Sequence, residues 1–406
     1  MRVLWLTPEL PFAPGGTGGS TRQFQLVRML IERGHDVDVV APVHPAQEAG
    51  AALLRGAGAT LHGIRRPPSR VRETLAALAR RPALALDALR MPVVAWQVEV
   101  FRGSLWPQVL AALGREPDVI VVEHDWAARW LARLPAGVPS ALTLHNLSWR
   151  YYESRAGAAA GPAAAALRLE ARRFAAFDRR WLARYAALVT MSPDDAATVR
   201  RVLALDSTVV PNGVDTAALT ASPLPGEPTV LFAGTFAYPP NAEALEWLLS
   251  EIWPRVLARR ADARLLVVGR DVPPRLEALA GDSVTVAGWV PEMQPWFDRA
   301  RAVLVPMRSG GGTRLKVLDG LASGRPLVST TMGAEGVAIV PGEHALLEDT
   351  ADGFAEAVVR TLSDDELAGR LGASGRVLAE QVYDWRAIGG RYADTLEALA
   401  VASAAS

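Results

Sequence analysis

The sequence predicts an α/β protein of two domains, each built on a mainly parallel, doubly wound sheet. Three observations carry this. Short apolar runs alternate with helical segments along the whole chain, the order that builds parallel sheets. Charge divides between the halves although the net charge is zero. Residues 1–205 hold 26 arginines against 17 Asp and Glu, a balance of +9, and residues 206–406 hold 17 basic against 26 acidic residues, a balance of −9. The composition also shifts near residue 205, and the proline-rich stretch 221–228 reads as a linker. At 406 residues the length suits two or three domains. The expected domains are 1–205 and 206–385, with a closing helix over 386–406 that packs back on the first.

The elements follow in order. Arg2–Thr7 reads as a buried strand, and a glycine and proline loop follows to Gly19. Ser20 is the expected N-cap of a helix running to Gly34. Val37–Ala41 is a second strand, and strand, glycine loop, helix, strand opens a doubly wound sheet. Leu53–Leu61 reads as a short β region. Arg72–Arg81 and Ala83–Arg90 read as helical, Asp118–Glu123 and Ser140–Leu144 as strands, and Ala163–Arg184 as a long arginine-rich helix. Ala187–Met191 and Thr208–Pro211 are further strands. The second half repeats the pattern with strands at Thr229–Ala233, Arg264–Gly269, Ser283–Ala287, Ala302–Pro306, Pro326–Thr330 and Ala345–Leu347.

Composition excludes several chemistries. There is no cysteine, hence no disulfide, thiolate metal site or cysteine nucleophile. Six scattered histidines lack metal-ligand spacing, so no metal is expected. Met1–Leu6 is followed at once by Glu9 and prolines, unlike a signal peptide. No uninterrupted apolar run reaches the ~18 residues of a membrane span. A cytoplasmic location is expected. The basic first half could face an anionic lipid surface at the inner membrane or an anionic substrate, and Arg65–Arg102, with eight arginines among Leu, Ala and Trp, is the candidate docking stretch. Nothing points to a nucleic-acid partner.

Lys316 is the only lysine; the other 42 basic residues are arginine. It stands in Ser309-Gly-Gly-Gly-Thr-Arg-Leu-Lys-Val-Leu-Asp319, a glycine loop entering a helix. Such a loop lets backbone amides approach a phosphate, and Arg314 and Lys316 add positive charge within one turn. Asp319 shares roughly one helical face with Lys316 and is suited to ribose hydroxyls. The plain alternative is a solvated loop with an i,i+3 ion pair. Gly15-Gly-Thr-Gly-Gly19 follows the first strand but is not Gly-x-Gly-x-x-Gly, and no acidic residue ends the second strand, so a nicotinamide cofactor is disfavoured. His145 and His124 end strands at the edge where open parallel sheets bind ligands. Gly234-Thr235 and Gly288-Trp-Val290 end two others. The three asparagines, Asn146, Asn212 and Asn241, each lie in a motif.

Through nearly its whole length the chain resembles the family 4 glycosyltransferases, in particular their bacterial polysaccharide and exopolysaccharide branch. The resemblance rests on Gly18-Gly19 with Arg33-Gly-His-Asp36, Thr143-Leu-His-Asn146, Val210-Pro-Asn-Gly-Val-Asp215, Phe232-Ala-Gly-Thr235 with Tyr238-Pro-Pro-Asn241, Gly312-Thr-Arg-Leu-Lys-Val-Leu-Asp319, and Arg325–Gly336. It implies the GT-B fold, two facing Rossmann-like domains with a cleft between them. It implies transfer of a sugar from a nucleoside diphosphate to a glycan, lipid-linked or small-molecule acceptor, with retention of configuration and without metal or cofactor. The acceptor would bind the first domain and the donor the second. His145, Arg314 and Lys316 are then the catalytic candidates. Gly18, Gly19, Gly234, Thr235, Val290, Gly311, Gly312, Thr313, Asp319 and Glu335 are the donor-binding candidates. The family often carries two glutamates eight positions apart here; this chain has Gly311 and Asp319 instead. A catalytically silent nucleotide-sugar binder or assembly subunit, and a nucleotide-sugar epimerase, are the alternative readings.

Overall fold

A computed structural model describes residues 1–13, 16–65, 74, 77–278, 281–310 and 315–404. The chain divides into two compact units, Met1–Pro211 with Ile388–Ser406, and Asn212–Ala387.

The first unit holds strands β1 (Arg2–Leu6), β2 (Asp36–Val43), β3 (Thr60–Arg65), β4 (Val119–Glu123), β5 (Ser140–Leu144), β6 (Ala187–Thr190) and β7 (Thr208–Val209). They form a parallel sheet in the order β3-β2-β1-β4-β5-β6-β7. Both faces of such a sheet are covered by helices, so its strands read as continuous apolar runs. Val3 to Leu6 of β1 and Val119 to Val122 of β4 are accordingly buried.

The helix after β1 spans Gly18–Glu32 and buries Phe24, Leu26, Val27, Met29 and Leu30. Its cap is Thr17, three residues before the expected cap Ser20: the Thr17 hydroxyl accepts the Ser20 amide at 3.0 Å. Ser20 instead turns inward and donates to the Leu10 carbonyl at 2.6 Å. The helix stops where predicted, because Gly34 adopts φ +86°. The β region expected over Leu53–Leu61 begins as the end of a helix, Glu48–Gly56, with β3 starting only at Thr60. Gly50, Ala51 and Leu54 are buried at helical spacing, so one-sided packing overrides the apparent strand. Residues 72, 73, 75 and 76 of the helix expected over Arg72–Arg81, and part of Arg65–Arg102, lie outside the described residues; 74 and 77–80 are helical, as is Ala83–Arg90. Among the described residues no helix is long and apolar enough to cross a membrane.

The closing helix runs Trp385–Ala404. From Ile388 onward it belongs to the first unit. Tyr392 meets Trp5 edge-on with centroids 6.0 Å apart. Gly389 lies so close to Met29 that a Cβ there would sit 2.4 Å from the methionine Cβ.

The second unit has β8 (Thr229–Ala233), β9 (Arg264–Val268), β10 (Val284–Gly288), β11 (Ala302–Val305), β12 (Leu327–Ser329) and β13 (Leu346–Leu347). Its parallel order is β10-β9-β8-β11-β12-β13. Phe232, Val267, Leu304, Leu318 and Phe354 sit in one buried core. At the carboxyl edge, the Gly234 amide donates to the Val268 carbonyl at 2.9 Å. Gly269 follows at φ +149°, where an added Cβ would lie 1.6 Å from the Gly234 oxygen. Only glycine fits there. Gly269→Ala should lower the unfolding free energy by about 1–3 kcal/mol through overpacking, read by thermal or denaturant unfolding; an unchanged midpoint would contradict the close approach of these two loops.

Candidate active site

Each sheet reverses its strand order once near its middle. In the first unit the reversal falls between β1 and β4, in the second between β8 and β11. At such a point the loops leave in opposite directions and open a crevice at the carboxyl ends, the usual ligand position of open α/β sheets.

The crevice of the first unit gathers side chains from four segments. β1 leads to Glu9, the following helix begins with Gly18 and Gly19, β4 ends in Glu123-His124, and β5 is followed by His145. His145 Nε2 pairs with the Glu123 carboxylate. The His124 and His145 rings stack with centroids 4.0 Å apart. His124 Nε2 meets Glu9 Oε1 at 3.1 Å, and Gln23 donates to the same oxygen at 3.0 Å. Gly19 stands close against this group: a Cβ would lie 2.6 Å from Glu9 Oε1 and 3.3 Å from His145 Nδ1. His124 holds a left-handed backbone, φ 72°, which costs about 1–3 kcal/mol for a non-glycine residue. Strain of this kind concentrates at functional sites.

Electrostatics in this crevice are set by burial. Desolvation pushes the Glu123 carboxyl up to about 7, against the pull of His124 and Arg22. Burial likewise holds His145 well below the usual histidine range, helped by His124 and Arg22. For Glu9, burial raises the carboxyl, but the His124 hydrogen bond and the two imidazoles bring it below its ordinary value. Arg22 is fully buried and donates to the carbonyls of Val210 at 2.8 Å and Pro211 at 2.6 Å.

In the second unit, Gly234 and Thr235 follow β8, Gly288-Trp289-Val290 closes β10, Ser309 and Gly310 follow β11, and Glu335 lies beyond β12. All these strands are parallel, so these residues share one edge. Lys316, in the helix Leu315–Ala322, donates to Asn241 Oδ1 at 2.7 Å. Its ammonium stands 4.8 Å from the Phe232 ring centroid. Asn241 in turn donates to the Thr235 carbonyl at 2.8 Å. A Cβ on Gly234 would touch Asn241 Nδ2 at 3.0 Å and Lys316 Nζ at 3.1 Å. Ser309 donates to Glu243 at 2.5 Å. Asp319 follows one turn after Lys316, and burial pushes its carboxyl up to about 7 against the nearby ammonium. Val290 is half-buried and Glu335 exposed. Gly311, Gly312, Thr313 and Arg314 lie outside the described residues. No group of three or more acidic or histidine side chains among the described residues could hold a metal.

The structure thus joins Gly19 with His145 in one unit, and Gly234 with Lys316 in the other. It adds Glu9, Gln23, Arg22 and Glu123, which motif reading passed over. Their one sequence signal was an acidic residue directly before His124 at a strand end. Asn241 stood out by its rarity, and its role as partner of Lys316 came only with the fold.

Two family models match. Residues 16–218 match Glycosyltransferase Family 4, and residues 227–364 match Glycosyl transferases group 1. The phosphatidyl-myo-inositol mannosyltransferase of Mycolicibacterium smegmatis is 31% identical over 203 residues, covering 46% of this chain and 50% of that protein. The chain spans about half the length of the curated relatives it matches. Sucrose-phosphate synthase from Thermosynechococcus elongatus shares the fold with a TM-score of 0.72 at 20% identity, over 99% of this chain and 100% of that one. Anabaena Alr3699/HepE, solved in complex with UDP-glucose, gives 0.64 at 15%, over 98% and 100%. The chain belongs to glycosyltransferase family 4, and its two parallel-sheet units are those of the GT-B fold.

Asp319 allows a stability test. Its folded-state carboxyl lies near 7, above the 3.8 expected for the unfolded chain. The folded form therefore holds a proton that the unfolded form has released, and the associated stability is lost as pH rises through about 7. Asp319→Asn, which does not titrate, should gain on the wild type between pH 4 and 7. Denaturant unfolding across that range reads it, and a constant difference would reject the elevated carboxyl.

Proposed function

We propose that the protein transfers a sugar from a nucleoside diphosphate to an acceptor hydroxyl, with retention at the anomeric carbon and without a metal or cofactor. The observation that carries this is the Lys316 ammonium, fixed by Asn241 against Gly234 at the reversal point of the second sheet. A departing diphosphate needs positive charge in place before it leaves. Lys316 supplies one charge, and Arg314 and the glycine loop 310–313 supply the rest on this reading. Asp319, with a carboxyl near 7, can both donate to and accept from ribose hydroxyls. The bond from the anomeric carbon to the diphosphate oxygen breaks, and one to the acceptor oxygen forms on the same face. A diphosphate oxygen takes the acceptor proton. His145 is the polar contact for the transferred sugar, and Gly18 and Gly19 give backbone approach.

Donor binding is assigned to the second unit and acceptor binding to the first. The name of the mycobacterial relative favours a lipid-linked acceptor over a free sugar. A peripheral contact with the inner membrane face would suit such an acceptor. It is supported by the +9 balance of residues 1–205 and by Leu86 and Leu89, exposed on the helix Ala83–Arg90.

The test is nucleoside diphosphate release over a panel of activated sugars, followed by transfer to acceptors with the preferred donor. Lys316→Ala should lower turnover by about 10²-fold or more, the usual cost of losing a charge contact made in the transition state. An unchanged rate in folded protein would reject this role. Nucleotide binding with no transfer from any donor would instead favour a silent binder.

A further inference from the structure

Glu123 is the last residue of β4 and is fully buried, yet its carboxylate meets the edge of the candidate site. One carboxylate oxygen pairs with His145 Nε2. The other ring nitrogen, Nδ1, is turned to the helix start, 3.3 Å from where a Gly19 Cβ would stand. His124 stacks on the His145 ring, and Glu9 bonds to His124 and Gln23. Arg22, from the first helix, and Tyr392, from the closing helix, interact electrostatically with Glu123, whose second carboxylate oxygen is buried without a hydrogen-bond partner among the described residues, as is the Thr143 hydroxyl.

A neutral imidazole carries one N–H, and the partner of one nitrogen decides which nitrogen bears it. If the Glu123 carboxyl holds a proton, its O–H donates to Nε2 and the ring hydrogen sits on Nδ1. If Glu123 is ionised, Nε2–H donates to the carboxylate and Nδ1 presents a lone pair. We propose that Glu123 is a positioning residue that decides, through the proton lying between its carboxylate and His145 Nε2, whether Nδ1 meets a bound ligand as donor or as acceptor. The assignment of that ligand as the transferred sugar rests on the function proposed above; the proton arrangement does not. Burial brings Glu123 to about 7 and keeps the imidazole neutral well below that point. The two arrangements therefore exchange near neutrality, with donor below and acceptor above.

Ring-nitrogen NMR of the full chain, from about pH 5.5 to about pH 8.5, reads the tautomer directly, with His145 assigned by comparison with His145→Gln. The expected result is a hydrogen on Nδ1 at the acid end and on Nε2 at the alkaline end. Glu123→Gln, which cannot ionise, should hold one tautomer throughout. A single tautomer across the range in the wild type, or a change that survives in Glu123→Gln, overturns the proposal. Should Glu123→Gln fail to fold by circular dichroism, Glu123→Asp carries the test: it keeps the change but moves its midpoint, and an unmoved midpoint counts against Glu123. In turnover assays the same step appears as an inflection in kcat/KM near pH 7, lost in Glu123→Gln. A tautomer change in a wild type that transfers no sugar leaves the proton arrangement standing and removes the functional reading.

Discussion

The reversal of strand order at the centre of each sheet is the constraint on which the rest depends. A parallel strand ends with its backbone carbonyls and the following loop at one edge. Where successive crossovers go to opposite sides, two neighbouring loops part, and the gap is floored by main chain. Between β1 and β4 that gap receives Glu9, Gly19, Glu123 and His124; between β8 and β11 it receives Gly234, Asn241 and Lys316. The two halves solve one topological problem in the same way and fill the opening with opposite chemistry. One holds carboxylates against imidazoles, the other an ammonium on an amide and an aromatic face.

Both crevices also contain a carboxyl that burial brings to about 7, Glu123 and Asp319. In each the nearby cation opposes the shift without cancelling it. A carboxyl poised this way serves as donor or acceptor at little cost, which a fully ionised one cannot do. Polyol ligands reward that property, because each hydroxyl is both. The desolvation responsible comes from the same apolar packing that stabilises the strands, so the electrostatics of the site and the stability of the sheet share one origin.

Most of the architecture was legible from the chain. Parallel strands buried on both faces give apolar runs, and these fixed nearly every strand to within a residue or two. Leu53–Leu61 misled because a short amphipathic helix and a strand give similar apolar content when the run is brief. Ser20 misled because two candidate hydroxyls, Thr17 and Ser20, stand three residues apart, and Ser20 is drawn away from the cap by the Leu10 carbonyl, ten residues back. Lys316, His145 and the glycines could be read from rarity and strand-end position. Glu9, Gln23 and Arg22 could not: their meeting depends on contacts between segments more than a hundred residues apart in sequence, such as Glu9 with His124. Local pattern carries no information about such meetings.

The guanidinium of Arg22 has two allegiances. Its charge acts on the Glu123 carboxylate, and its nitrogens donate to the carbonyls of Val210 and Pro211, at the end of the first unit's main segment. Buried as it is, it has no water to fall back on if either attachment is lost. One buried cation thus answers both to the carboxylate and to the main chain where the first unit ends, so losing either leaves a charge that burial makes costly.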